Sequence, residues 1–278
     1  MEQSKTLRNL IIFAIVSLSA GWIGAWVNTV IPSPSPQQSL GILIFITFPF
    51  LTVFLLRGFG KDGWKDFGLR LNFKGNWGWY LLALLMYPAA IILTLGLGAV
   101  FGTTSFEGLR SQGFGALLSV IGFGFAMSLM KNIGEEFAWR GYLTPRFNAL
   151  GLGNFTNHML TGVIWGLWHV PYWLFLLGPE IINEYSSLGV VGFIAMGLIG
   201  IFPTALVYGE LRLKTGSLWP AFLAHNVINA LSPQLVMEGF VNLKPNTELL
   251  FSPGLDGLLM MAFFWVLGVW MLRKKRRP

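Results

Sequence analysis

The chain has 278 residues, of which 54% are hydrophobic and only 11% charged, whereas a soluble domain carries about a quarter charged residues. No hydrophilic block is long enough to fold separately, so a single polytopic membrane domain is expected. The net charge of +7 and the absence of cysteine exclude thiolate chemistry and disulfides, and because the basic residues fall in short clusters between apolar runs, they report topology rather than a nucleic-acid surface.

Eight apolar segments are predicted, at 8–31, 39–56, 77–101, 113–139, 156–177, 188–211, 216–232 and 255–272. Most reach the ~20 residues needed to span hydrocarbon; 39–56 and 216–232 are short. With the N-terminus inside, only Arg110 and Lys244 of the 19 basic residues fall outside, and the opposite orientation would invert that bias. The expectation is an all-α protein of about eight transmembrane helices, both termini cytoplasmic, in the inner or plasma membrane of the cell. The apolar stretch of the first segment exceeds the 7–15 residues of a signal peptide, so an uncleaved anchor is expected.

In chain order, the prolines of Ile31-Pro-Ser-Pro-Ser-Pro36 predict a short extended outside loop. Arg57 to Lys74 is the longest inside segment; its Trp64, Phe67 and Phe73 suit a chain lying in the headgroup layer, with Trp77 and Trp79 as interfacial anchors. Chemistry concentrates between about 115 and 232. The chain therefore divides into N-terminal helices and an inside loop (1–114), a core (115–232), and an outside loop, last helix and basic tail (233–278).

Glu135 and Glu136 end the apolar run of the fourth segment, in Gly-Glu-Glu-Phe-Ala-Trp-Arg. A charge at membrane depth costs about 3 kcal/mol even on lenient scales and marks a function by default. Arg140 lies four residues after Glu136, the spacing at which helical side chains meet. Glu136–Arg140 is thus the predicted neutralising pair, with Glu135 the freer carboxylate and the candidate general base. His169 follows Trp165 by four residues, so its ring is expected against that indole, and Pro171 bends the helix beside it. His225 and Asn229 are also four apart and share one face of the seventh segment; such a pair can hold an oxyanion, bind a metal or bridge helices. Asn226 faces away, towards a neighbouring helix. His158 has no partner at helical spacing and is left outside the site.

Peptide chemistry in a membrane needs an activated water or a protein nucleophile. The zinc signature His-Glu-x-x-His is absent, as are a pair of intramembrane aspartates and a serine placed beside either histidine motif. Glutamate with histidine remains, activating water directly or through a metal.

Glu-Glu-x-x-x-Arg (135–140), aromatic-x-x-x-His (165–169) and His-x-x-x-Asn (225–229), in this order, resemble the CPBP family of CAAX prenyl protease 2-like and bacteriocin-processing (Abi) membrane proteins. Thr-Gly-Ser-Leu-Trp-Pro-Ala before His225 is also similar to the family pattern, and Trp165 stands where Phe is common. The resemblance implies an intramembrane endopeptidase whose site opens towards the cytoplasmic half. It implies that Glu135 activates water with help from His169, that His225 and Asn229 stabilise the oxyanion, and that Glu136 and Arg140 order the site. Family names often say metalloprotease, and Glu135, His169 and His225 would form a His₂Glu set of the catalytic-zinc kind; a metal-independent mechanism needs only the same residues and water. The implied partners are the bilayer and a peptide or protein substrate, lipidated or membrane-embedded. Two other functions use the same cavity: a non-catalytic immunity or scaffold protein that binds a peptide, and a transporter, for which no internal repeat is found.

Overall fold

The computed structural model describes residues 2–34 and 38–274. Ser35 and Pro36 of the expected loop and Lys275, Arg276 and Arg277 of the basic tail lie outside the described residues. The long apolar runs form α1 (Glu2–Val30), α2 (Leu40–Gly58) and α3 (Trp77–Val100). After a two-residue strand β1 (Thr104–Ser105) and a short α4 (Glu107–Gln112) comes α5 (Phe114–Ala138), which runs through a π-helical turn, Trp139–Leu143, into α6 (Thr144–Ala149). Next are α7 (Asn154–Pro171), a π-helical stretch Tyr172–Leu177, α8 (Pro179–Tyr185) and α9 (Gly189–Thr215). The chain ends with α10 (Trp219–Met237), β2 (Asn242–Leu243), α11 (Glu248–Phe251) and α12 (Leu258–Arg273).

Local chemistry sets several boundaries. Ser39 Oγ accepts from the Ile42 N–H at 3.2 Å and caps α2. Gly216, at φ 65°, closes α9 in the left-handed conformation that glycine adopts without penalty. Pro220 then lies at the start of α10, where its missing N–H costs nothing.

Among the described residues, six helices are both long and apolar enough to cross a bilayer: α1, α2, α3, α5 with its continuation, α7 with its π-helical stretch, and α9. The protein is an all-α, polytopic integral membrane protein. The remaining two expected segments fall short for different reasons. α10 has 19 residues but is diluted by His225, Asn226, Asn229 and Gln234, and packs against α3, α5 and α9. α12 has 16 residues and rises only about 24 Å.

The bundle has two chemically distinct ends. Lys5 Nζ donates to the Lys61 carbonyl at 2.8 Å, Asn72 Nδ2 to the Thr215 carbonyl at 3.1 Å and Lys214 Nζ to the Lys274 carbonyl at 2.5 Å. These bonds gather the start of α1, the 57–74 segment and the ends of α9 and α12 at one basic end. At the other, β1 pairs with β2 and Ser187 Oγ donates to Glu248 at 2.8 Å.

The 57–74 segment does more than lie in the headgroup layer. Arg57, 1% exposed, pairs with Asp66 and donates to the Gly141 carbonyl. Arg146 pairs with Asp66 and lies 3.5 Å from Asp62, and Tyr142 donates to Asp62 at 2.7 Å. Phe67 is buried against Phe137, in space left by Gly141, where a Cβ would come within 2.6 Å of the Phe67 ring. Trp64 and Phe73 stay exposed, as expected of interfacial aromatics. The segment is a folded plug across the basic end.

Candidate active site

α5 supplies most of the polar groups. Lys131, Glu135 and Trp139 follow at four-residue spacing and share a face. Glu135 is 4% exposed. Its Oε1 accepts from Lys131 Nζ at 3.0 Å, and its Oε2 accepts from Trp165 Nε1 at 2.9 Å and Trp139 Nε1 at 3.4 Å. The expectation that Glu135 is the freer carboxylate is therefore corrected: Lys131, one turn earlier, neutralises it.

Glu136 faces another side and is fully buried. Its Oε1 accepts from Arg140 Nη1 at 3.0 Å and lies 2.8 Å from His225 Nδ1. The Arg140 guanidinium lies between the rings of Trp165 and Tyr208, 4.4 and 4.7 Å from their centroids. Cation–π attraction there compensates a charge removed from water. Tyr208 is held in turn by its hydroxyl contact with Tyr87 at 2.8 Å. At the π-helical turn, the Trp139 carbonyl accepts both the Thr144 N–H and the Thr144 hydroxyl, the latter at 3.0 Å.

Trp165 meets the His169 ring at 6.0 Å and 56°, the contact expected from its spacing. It is also committed to Glu135 and Arg140, while the His169 ring stacks on Trp173, at 5.1 Å and 22°, and meets Trp168 edge-on at 4.7 Å. His169 Nδ1 lies 2.9 Å from the Trp165 carbonyl. A carbonyl only accepts, so Nδ1 carries the hydrogen and Nε2 keeps its lone pair. His225 shows the same logic: with Nδ1–H donating to Glu136, Nε2 is the bare nitrogen, 4.0 Å from Glu135 Oε2.

Asn229 Nδ2 donates to Asn132 Oδ1 at 2.8 Å, Asn132 Nδ2 donates to Asn226 Oδ1 at 2.9 Å, and Asn226 Nδ2 donates to the Phe125 carbonyl at 3.0 Å. Asn226 thus makes the expected helix–helix contact, and it also anchors a chain of amides ending at Asn229. Lys131 and Asn132 were not singled out from the sequence for this site. Their signal was present, since they lie four and three residues before Glu135.

A cavity of about 290 Å³ is lined by Lys131, Trp165, His169, Tyr208, His225 and Asn229, among others. Glu135 stands directly behind Lys131 and Trp165. His158 is elsewhere: its Nε2 is 3.1 Å from Glu210 Oε1, which also accepts from Asn154 at 2.8 Å. It belongs to a buried tie between α7 and α9 near the basic end.

The His₂Glu set does not fit a metal as arranged. Among the described residues no group of three His, Asp or Glu side chains is placed to hold one. Both Glu135 oxygens already accept from cationic or N–H donors.

Residues 115–231 match the family described as type II CAAX prenyl endopeptidase, Rce1-like, and no curated protein matches the chain. The matched segment begins with α5 and stops within α10, so it contains every residue of the cluster just described. Over that core, less than half of its length, the chain is similar to the type II CAAX prenyl endopeptidase, Rce1-like family.

Proposed function

We propose that the protein is an intramembrane endopeptidase that hydrolyses a peptide bond with water activated by Glu135 and histidine. The observation that carries this reading is that His169, His225 and Asn229, from two helices, line one cavity, with Glu135 of a third helix bonded to two more of its lining residues, Lys131 and Trp165. A site of this kind works by holding water and carbonyl in reactive geometry and placing donors where charge develops.

The roles follow from the hydrogen bonds. Glu135 takes a proton from the attacking water. It remains anchored through Trp165 and Trp139, which fix its orientation without consuming a proton. His169 offers its bare Nε2 to the same water. Asn229 has one amide hydrogen committed to Asn132 and a second available for the oxyanion. His225 acts with its Nδ1–H on Glu136: the proton that Glu135 takes from water passes to Nε2, 4.0 Å away, making it a donor that stabilises the oxyanion and then protonates the leaving amine. Glu136 and Arg140 position His225. The mechanism needs no metal, in keeping with the donor set. A peptide or protein within or beside the bilayer is the substrate.

A second reading, a peptide-binding protein without catalysis, draws on the Lys131–Glu135 ion pair, which occupies one oxygen of the proposed base. One experiment separates the two. Peptide products from membranes containing wild type or Glu135→Gln are compared by mass spectrometry, with and without a chelator. Endopeptidase activity predicts cleavage products only with wild type, unchanged by the chelator. Equal products from both proteins end the catalytic reading, and chelator sensitivity ends the metal-independent one.

A further inference from the structure

One carboxyl in the cavity takes no part in the chemistry proposed for Glu135. Asp256, in the segment between α11 and α12, is part-buried and lines the same space as His169, His225 and Asn229. Its Oδ1 accepts from Ser252 Oγ at 2.9 Å, a neutral donor of the same segment. The other buried glutamates all face cations: Glu135 meets Lys131, Glu136 meets Arg140 and Glu210 meets Lys214. Among the described residues no cationic side chain pairs with Asp256. A carboxylate drawn out of bulk water is costly until a cation or several donors compensate it.

Two glycines of α9 fix where this carboxyl lies. Gly197 makes room for the Trp173 ring, which a Cβ there would meet at 2.9 Å, and Gly200 makes room for the Leu255 carbonyl. The two glycines are three residues apart and share a face, so Trp173 and the Leu255–Asp256 peptide sit side by side. Trp173 meets Phe193 edge-on at 6.0 Å, and both rings line the cavity. On the other side, a Cβ at Gly254 would touch Asp256 Oδ1 and lie 3.4 Å from Ser232 Oγ. Ser232 follows Asn229 by three residues on α10 and lines the cavity as well. Asp256 thus stands between an aromatic wall and the turn of α10 that follows the oxyanion donor.

Aromatic rings beside an uncompensated carboxylate form a lining for an organic cation, which the ring faces attract and the carboxylate pairs with. Resting on the endopeptidase reading, we propose that Asp256 selects substrates by binding a lysine or arginine side chain close to the scissile bond. Three residues of helix rise about 4.5 Å, and an extended chain advances about 3.3 Å per residue. The basic residue therefore falls roughly one to three positions from the bond held at Asn229. Its methylenes lie on Trp173 and Phe193 while its charge reaches Asp256.

The test uses the full chain in nanodiscs of neutral phosphatidylcholine, as wild type, Asp256→Asn and Asp256→Glu. Each is offered short N-acetylated peptides of random sequence, in which side chains are the only cations. Retained peptides, and any fragments cut from them, are identified by mass spectrometry. We expect lysine and arginine to be enriched among the peptides retained by wild type, and to flank the cut bond in the fragments. The enrichment should fall about tenfold in Asp256→Asn, as for one lost charge-assisted contact, and persist in Asp256→Glu. No enrichment with wild type, or the same enrichment with Asp256→Asn, overturns the proposal. Retention is scored whether or not a bond is cut, so an absence of fragments ends the endopeptidase reading and leaves this test intact.

Discussion

Two buried ionic clusters lie within this bundle, and their difference shows what marks a reactive site. The basic-end cluster joins Arg57, Asp62, Asp66, Arg146 and Arg212, with Arg212 donating to the Arg140 carbonyl at 3.0 Å and to the Asp66 carbonyl at 2.5 Å. Its charges face one another and backbone carbonyls, and a cavity of about 900 Å³ at the basic end is lined by two of them, Asp66 and Arg212. The cluster around Glu135 has comparable burial, but it presents the bare nitrogens of two histidines and an amide to open space. Burial of charge and a neighbouring cavity are common to both; bare imidazole nitrogens beside an amide donor belong to one.

The sharpest way to break the comparison is Glu135→Gln. It keeps the shape and the hydrogen bonds from the two indoles while removing the base, so cleavage should fall by about 10²–10⁴, with unchanged thermal unfolding in detergent. Arg140→Ala tests the layer that separates the clusters. Removing one partner of a buried pair costs about 3–5 kcal/mol, so this variant should unfold at markedly lower temperature, and a wild-type melting curve would show that Glu136 does not depend on it.

Asn132→Ala addresses the amide chain. It strands the Asn229 and Asn226 groups that it bridges, an effect of about 1–3 kcal/mol. If Asn132 positions Asn229, kcat drops roughly tenfold, as 1.4 kcal/mol corresponds to tenfold in rate, with KM little changed. A change in KM alone would place Asn132 in substrate binding. The smallest effect is expected from His158→Ala, which deletes one buried hydrogen bond to Glu210. A stability loss of about 1 kcal/mol with full activity per folded molecule keeps the histidines separate in function, whereas lost activity would tie His158 to the site.

Helical spacing revealed part of the site and misled on part of it. Glu136–Arg140 could be read because both residues lie on one helix, where distance along the chain fixes distance in space. The same rule offered Lys131–Glu135, which pairs identically. Trp165 and His169 meet as their spacing implies, at 6.0 Å between rings, but spacing gave no sign that the Trp165 N–H also bonds Glu135 on another helix. Partners on other helices, such as His225 with Glu136, Asn229 with Asn132 and His158 with Glu210, have no signature in spacing at all.

By itself the sequence determined that the chain is helical and membrane-embedded, which end of its bundle is basic, and which helices carry ionisable groups, since these follow from apolar run length and the cost of charge in lipid. The tertiary structure alone decided which groups meet, which nitrogens stay bare, and that Asp256, from the segment before α12, reaches the same cavity. Those outcomes depend on helices packing from distant parts of the chain and on a loop folding against them, and neither is encoded in local periodicity.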